Sequence, residues 1–157
     1  RFSVDVGAVR YTERFGLDRA VSPEVLREAM AAISADLSRI DGRLVPDFLV
    51  AMGGAVTNIT AVMHRLASYD PEVVQGSVLD RAEIDRQIER YRSLDADARR
   101  AIVGLQPKRA EVILAGACIV RTVMEKLGKQ RFTVSDRGLR HGVLAERFGD
   151  GRACCAS

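Results

Sequence analysis

Three short segments carry residues able to do chemistry. The first is Met52-Gly53-Gly54-Ala55-Val56-Thr57-Asn58, two glycines between an apolar run and a helical stretch. At such a junction the free N–H groups and positive end of a helix can hold an anion, and glycine keeps side chains clear of its approach. Thr57 and Asn58 add side-chain donors or simply cap the helix. No Gly-Lys-Ser/Thr follows, which excludes a Walker loop. From the glycines alone, tight-turn packing and an anion site both stay open.

The second segment is Gly104-Leu105-Gln106-Pro107-Lys108-Arg109-Ala110. Its two cations fall in the first turn of an expected helix, where the dipole disfavours positive charge. A local conflict of that kind marks a candidate site, and Arg109 has the planar fork that grips phosphate with two parallel hydrogen bonds. The alternative is a surface arginine paired with Glu111 or a neighbour. The third segment runs from Val134 to Gly142, with Asp136 as a helix N-cap or as a clamp with Arg137 or Arg140. His64 and His141 are isolated, Cys118 lies in an apolar run and Cys154 and Cys155 are adjacent, so no zinc site is legible. No Ser-His-Asp or Cys-His constellation emerges, and no catalytic residue is assigned.

Elements must hold these segments in place. Val4 to Phe15 reads as extended chain with a turn or bulge at Gly7. Ser22-Pro23-Glu24 opens an amphipathic helix that ends by Gly42. Residues 48–52 read as a strand running through the glycine turn into a helix with Ile59, Val62, Met63 and Leu66. A short extended piece is expected near Val73 to Val78, then a helix from about Arg81 to Ser93 capped by Asp80, and another short one capped by Asp95. Pro107 should begin a long buried helix stopped by Gly128, followed by a strand at 132–134 and a final helix to Gly149. Strands feeding helices argue for a helix-rich layered α/β domain.

Composition limits the function classes. A chain of 157 residues suits one core, and 47% hydrophobic against 29% charged residues excludes disorder as the main state. The 24 Lys and Arg against 21 Asp and Glu leave a charge of only +3, spread along the chain, so a nucleic-acid partner is not expected. Five per cent aromatics and no Trp leave little for base stacking. The longest apolar run, nine residues from Val112 to Val120, is far below the roughly 20 that cross a bilayer. The cysteines make a poor disulfide framework, so a reducing, cytoplasmic setting is expected. The chain opens at Arg1 without Met or a signal-peptide pattern, and a fragment is expected.

Taken together, Val6-Gly7-Ala8-Val9-Arg10-Tyr11-Thr12-Glu13, the Gly53-Gly54 loop, Tyr69-Asp70-Pro71, Gly104-Leu105 with Pro107, Arg109-Ala110 through Ala115-Gly116, and Val134 to Arg140 resemble the exopolyphosphatase and guanosine pentaphosphate phosphohydrolase family. The resemblance runs to about Phe148. It implies an actin-like fold of two ribonuclease-H-like lobes with the substrate phosphates in the cleft between them. Residues 1–149 would be the second, C-terminal lobe and 150–157 a disordered tail. It further implies Gly53, Gly54, Thr57, Asn58 and Arg109 as phosphate-binding residues. Threonine is frequent at the third loop position in that family, where this chain has Ala55; Gln75 and His141 stand where histidine and glutamate are frequent. The water-activating glutamate would lie on the other lobe, before Arg1.

The activity implied is hydrolysis of a terminal phosphoanhydride of inorganic polyphosphate or, alternatively, of guanosine pentaphosphate (pppGpp). Mg2+ would serve the full-length enzyme, and residues 1–157 alone would be inactive. The missing N-terminal lobe and polyphosphate or (p)ppGpp are the expected partners. A homodimer is also expected as an option, and a non-catalytic self-association module is the remaining alternative.

Overall fold

A computed structural model describes residues 3–148. The expected tail at 150–157, with Cys154 and Cys155, lies outside the described residues. Along the chain come α1 (Ala8–Phe15), α2 (Pro23–Asp36), a 3-10 turn (Ser38–Ile40), β1 (Val50–Met52), α3 (Gly54–Met63) and α4 (Pro71–Val74). They are followed by β2 (Val78–Asp80), α5 (Arg81–Arg92), α6 (Ala96–Arg99), a second 3-10 turn (Pro107–Arg109), α7 (Ile113–Lys126), β3 (Arg131–Ser135) and α8 (Leu139–Phe148).

Local chemistry explains where several helices begin. Ser22 Oγ accepts from the Val25 N–H, Asp80 Oδ1 from Glu83 at 2.8 Å, and Asp95 Oδ1 from Ala98 at 2.8 Å, as their positions in the sequence imply. Asp70 does the same for α4 through the Glu72 N–H at 2.9 Å, so the stretch after Tyr69 turns helical before β2 begins instead of extending from Val73.

The start of the chain departs from the expected strand. Residues 8–15 form a helix, with Gly7 as its N-cap. The β-branched and aromatic residues there suit a strand, but Tyr11 and Thr12 are both buried. Consecutive residues face opposite sides of a strand, whereas a helix packed on α7 buries both together. The Tyr11 and Phe15 rings stack with centroids 6.5 Å apart, one helical turn on.

The sheet has three strands in the order β1-β3-β2, with β1 parallel and β2 antiparallel to β3. Ala51 faces Val134 and Leu79 faces Phe132 on the side that packs into the core. Val50, Thr133 and Val78 align on the opposite side and are exposed, with Phe48 and Met52 extending that apolar face. The core is helical. Residues 56–62 of α3 are all buried, and α7 buries Ile113 through Cys118.

A fully buried arginine joins three segments beneath the second 3-10 turn. Arg99 Nε donates to the Tyr91 carbonyl at 2.8 Å, Nη1 to Leu17 at 2.7 Å and Ala110 at 3.2 Å, and Nη2 to Arg19 at 3.1 Å. Burial pulls its pKa down, and the Asp18 and Asp95 charges oppose that. The long helix expected from Pro107 is correspondingly interrupted. With the Ala110 carbonyl held by Arg99, residues 107–109 form a separate 3-10 turn and α7 begins only at Ile113.

Candidate functional site

Parallel β1 and β3 end side by side, Met52 opposite Ser135, and the chain leaves them through Gly53 and Asp136. The carboxyl edge of parallel strands is where open α/β sheets place ligands. Gly53 has φ of 113°, a conformation that side-chain-bearing residues avoid, and this sends the chain straight from strand into helix. Gly53 is also the N-cap of α3 and has no side chain to cap it. The first intrahelical backbone bond runs from the Thr57 N–H to the Gly53 carbonyl at 3.1 Å. The N–H groups of Gly54, Ala55 and Val56 therefore point beyond the helix start at its positive end.

Arg109 lies against this edge. A Cβ placed on Gly54 would stand 2.7 Å from Arg109 Nη2 and 2.8 Å from Cζ, so the guanidinium rests on the bare glycine backbone. Glycine is required here for close approach. The pairing of Arg109 with Glu111 is not formed, because Glu111 engages Arg100 at 3.3 Å. Arg109 Nε is buried without a hydrogen-bond partner, and among the described residues its side chain makes no ion pair. A cation and three helix-end amides thus converge on one edge, each with hydrogen-bonding capacity to spare.

Two of the expected site residues have bonds within the chain. Asn58 is only 1% exposed, and its amide is already engaged: Nδ2 donates to the Gly54 carbonyl at 2.8 Å and Oδ1 accepts from the Gln106 N–H at 2.9 Å. Both of its polar groups are thus bonded within the chain. The Thr57 hydroxyl lies within hydrogen-bonding distance of the Gly53 carbonyl at 3.3 Å and the Gly54 carbonyl at 3.5 Å. Gly53, Gly54 and Arg109 come together as expected; Thr57 and Asn58 lie directly behind them.

The other side of the edge carries a feature absent from the sequence reading. Tyr69 OH donates to Asp136 Oδ1, and the Asp136 N–H donates to Gln75 Oε1 at 2.9 Å. Burial, reinforced by the Asp136 carboxylate, pushes the Tyr69 hydroxyl up to about 12. Asp136 is therefore not the N-cap of α8. That position belongs to Gly138, whose carbonyl accepts from His141 at 3.0 Å. His64 ends α3 in an exposed position and bonds Ser77 Oγ at 3.0 Å. The only sequence signal for the Tyr69 contact was the Tyr69-Asp70-Pro71 segment itself, which does not say what the ring would meet.

Residues 1–149, which include both glycine segments and Arg109, match the model of the Ppx/GppA phosphatase family. The chain belongs to that family. Exopolyphosphatase 2 of Mycobacterium tuberculosis is 28% identical over 158 residues, covering 94% of this chain and 49% of its own length. A bifunctional 3-dehydroquinate synthase/phosphatase of Fusobacterium nucleatum is 27% identical over 150 residues, covering 93% of this chain and 22% of its own. Among solved structures, a Ppx/GppA phosphatase of Aquifex aeolicus superposes with a TM-score of 0.87 at 29% identity, over 94% of this chain and 49% of that one. This Ppx/GppA chain therefore spans about half the length of two of these relatives and less of the third. Its fold is the helix-rich α/β, ribonuclease-H-like lobe of the actin-like ATPase type, as the resemblance implied.

Among the described residues no group of three or more His, Cys, Asp or Glu could hold a metal ion, and the glycine edge is faced by a guanidinium. Among the same residues no helix is long and apolar enough to cross a membrane.

Proposed function

We propose that this chain is the second, C-terminal lobe of an exopolyphosphatase, and that it binds the substrate's phosphates without carrying the hydrolytic residues. The Arg109 guanidinium lying on Gly54 without a partner among the described residues, beside three free helix-end amides, carries this reading. Those groups would take phosphate oxygens with charge-assisted hydrogen bonds at a site of positive potential. In hydrolysis, a water oxygen bonds to the terminal phosphorus and the bridging P–O bond breaks, its electrons leaving with the shortened chain. This lobe would neutralise charge on the phosphates during that exchange. The carboxylate that orients the water, and any magnesium, belong in our reading to the rest of the longer protein.

Inorganic polyphosphate is the favoured substrate, in keeping with the M. tuberculosis relative named for that activity. Guanosine pentaphosphate is the alternative; it presents the same terminal phosphoanhydride to the same edge. The uncovered apolar sheet face at Phe48, Val50, Met52 and Val78 supports a contact surface, for the other lobe or for a second copy of the chain.

Calorimetric titration with tripolyphosphate tests the reading. The wild-type chain should bind weakly, and Arg109→Ala should lose about 1–3 kcal/mol of that binding. Equal affinity of the two proteins would remove Arg109 from the site. The chain alone should release no phosphate from polyphosphate with magnesium present, and robust turnover would refute the division of labour.

A further inference from the structure

We infer that Asn58 is a positioning residue for Arg109 and makes no contact with the anion itself. This rests on the phosphate-binding reading above and explains how a cation without a partner among the described residues is kept in place. A buried amide in mid-helix is costly unless its polar atoms are bonded. Asn58 meets that requirement by linking two elements. Its Nδ2 holds the Gly54 carbonyl at 2.8 Å, and its Oδ1 holds the Gln106 N–H at 2.9 Å. Gln106 in turn accepts the Arg109 N–H at 2.8 Å, which opens the 3-10 turn. The Arg109 side chain then returns to lie on Gly54. Gly54, Asn58, Gln106 and Arg109 thus form a closed ring. Because no side-chain hydrogen bond among the described residues fixes the guanidinium, its place over the amides depends on the turn below it, and that turn is tied to α3 through Asn58.

The test is a double-mutant cycle read by tripolyphosphate titration on the full chain, with thermal melts to establish that each variant is folded. Asn58→Leu keeps the side chain's approximate volume and removes both bonds. It should weaken binding by roughly threefold to tenfold in the parent and by less than about twofold in an Arg109→Ala background. Gln106→Pro is the second variant, because Gln106 has φ of −65°, which proline adopts, and the substitution deletes the N–H that Asn58 accepts while leaving Asn58 itself intact. It should reproduce the loss with Asn58 still present. Parent-like affinity in both variants, or an Asn58→Leu loss that persists undiminished without Arg109, overturns the inference. If Arg109→Ala itself leaves affinity unchanged, the phosphate reading fails and the inference falls with it. That pattern is distinct from the case in which Arg109 matters and Asn58 does not.

Discussion

Gly116 on α7 faces Ala55 on α3 so closely that a Cβ added to Gly116 would stand 2.7 Å from the Ala55 Cβ. The two most buried helices meet where the glycine loop starts, so the amide edge is seated directly on α7. Ala55 replaces the threonine expected from the family resemblance, and the methyl it presents is already at the limit of that contact. Gly116→Ala should cost about 1–2 kcal/mol despite the better helix propensity of alanine, because neither backbone can yield without shifting the other. Urea unfolding measures this, and Ala55→Gly in the same protein should restore most of the loss. Additive losses would mean that the two residues do not share a contact.

The two loop glycines should respond differently to the same change. Gly54 occupies an ordinary helical position, and only the flexible end of Arg109 stands in the way of a methyl. Gly54→Ala should leave stability within about 0.5 kcal/mol while reducing tripolyphosphate binding as far as Arg109→Ala does. At Gly53, φ of 113° makes any side chain strained. Gly53→Ala should cost about 1–3 kcal/mol of stability, read from the shift in urea midpoint. Similar stability losses at both sites would show that the guanidinium is not what fills the space over Gly54.

Adjacent arginines offer another contrast. Arg99→Met would leave the buried carbonyls of Tyr91, Leu17, Arg19 and Ala110 without their donor and should cost about 3 kcal/mol or more. Arg100, half exposed and paired with Asp97 and Glu111, should lose less than about 1 kcal/mol on the same substitution. Chemical denaturation of the two variants checks the ranking, and equal losses would contradict it.

The three tyrosines predict the alkaline limit of the fold. Burial, then the Asp36 carboxylate that Tyr11 bonds at 2.6 Å, pushes Tyr11 up to about 12, and burial with Asp136 does the same for Tyr69. Burial raises Tyr91 as well. In the unfolded chain these phenols lose their protons near pH 10, whereas the native chain retains them. Between pH 10 and 12 the native state therefore binds more protons, and the stability present below pH 10 falls across that window. Spectrophotometric titration should show little tyrosinate at pH 10 and a rise near pH 12 or on unfolding. A full ionisation step at pH 10 would contradict the raised tyrosine pKa values.

How much of this was legible in the sequence depended on whether the deciding interaction was local. Ser22, Asp80 and Asp95 announce their helices because a cap needs only the next few amides. The strand-glycine-helix unit at β1 and α3 was legible for the same reason. Residues 8–15 carry a strand-like pattern yet form a helix, because the burial of Tyr11 and Thr12 depends on α7, about a hundred residues away. The break at Ala110 depends on Arg99, and nothing in the Asp95-to-Arg100 run distinguishes that arginine from its exposed neighbour. Gly53, Gly54 and Arg109 were identifiable as residue types. The distant Gln106 amide that turns Asn58 inward was not.

Arg99 also has a bearing on how the molecule loosens. One cation is shared among the segment after α1, the last turn of α5 and the entry to α7, so freeing any one of them leaves the ion's remaining bonds distorted. Separate fraying at these three places gives way to a single concerted opening. The turn that carries Arg109 ends directly at that joint, and the glycine edge it faces therefore inherits the steadiness of the helical core rather than that of a surface loop.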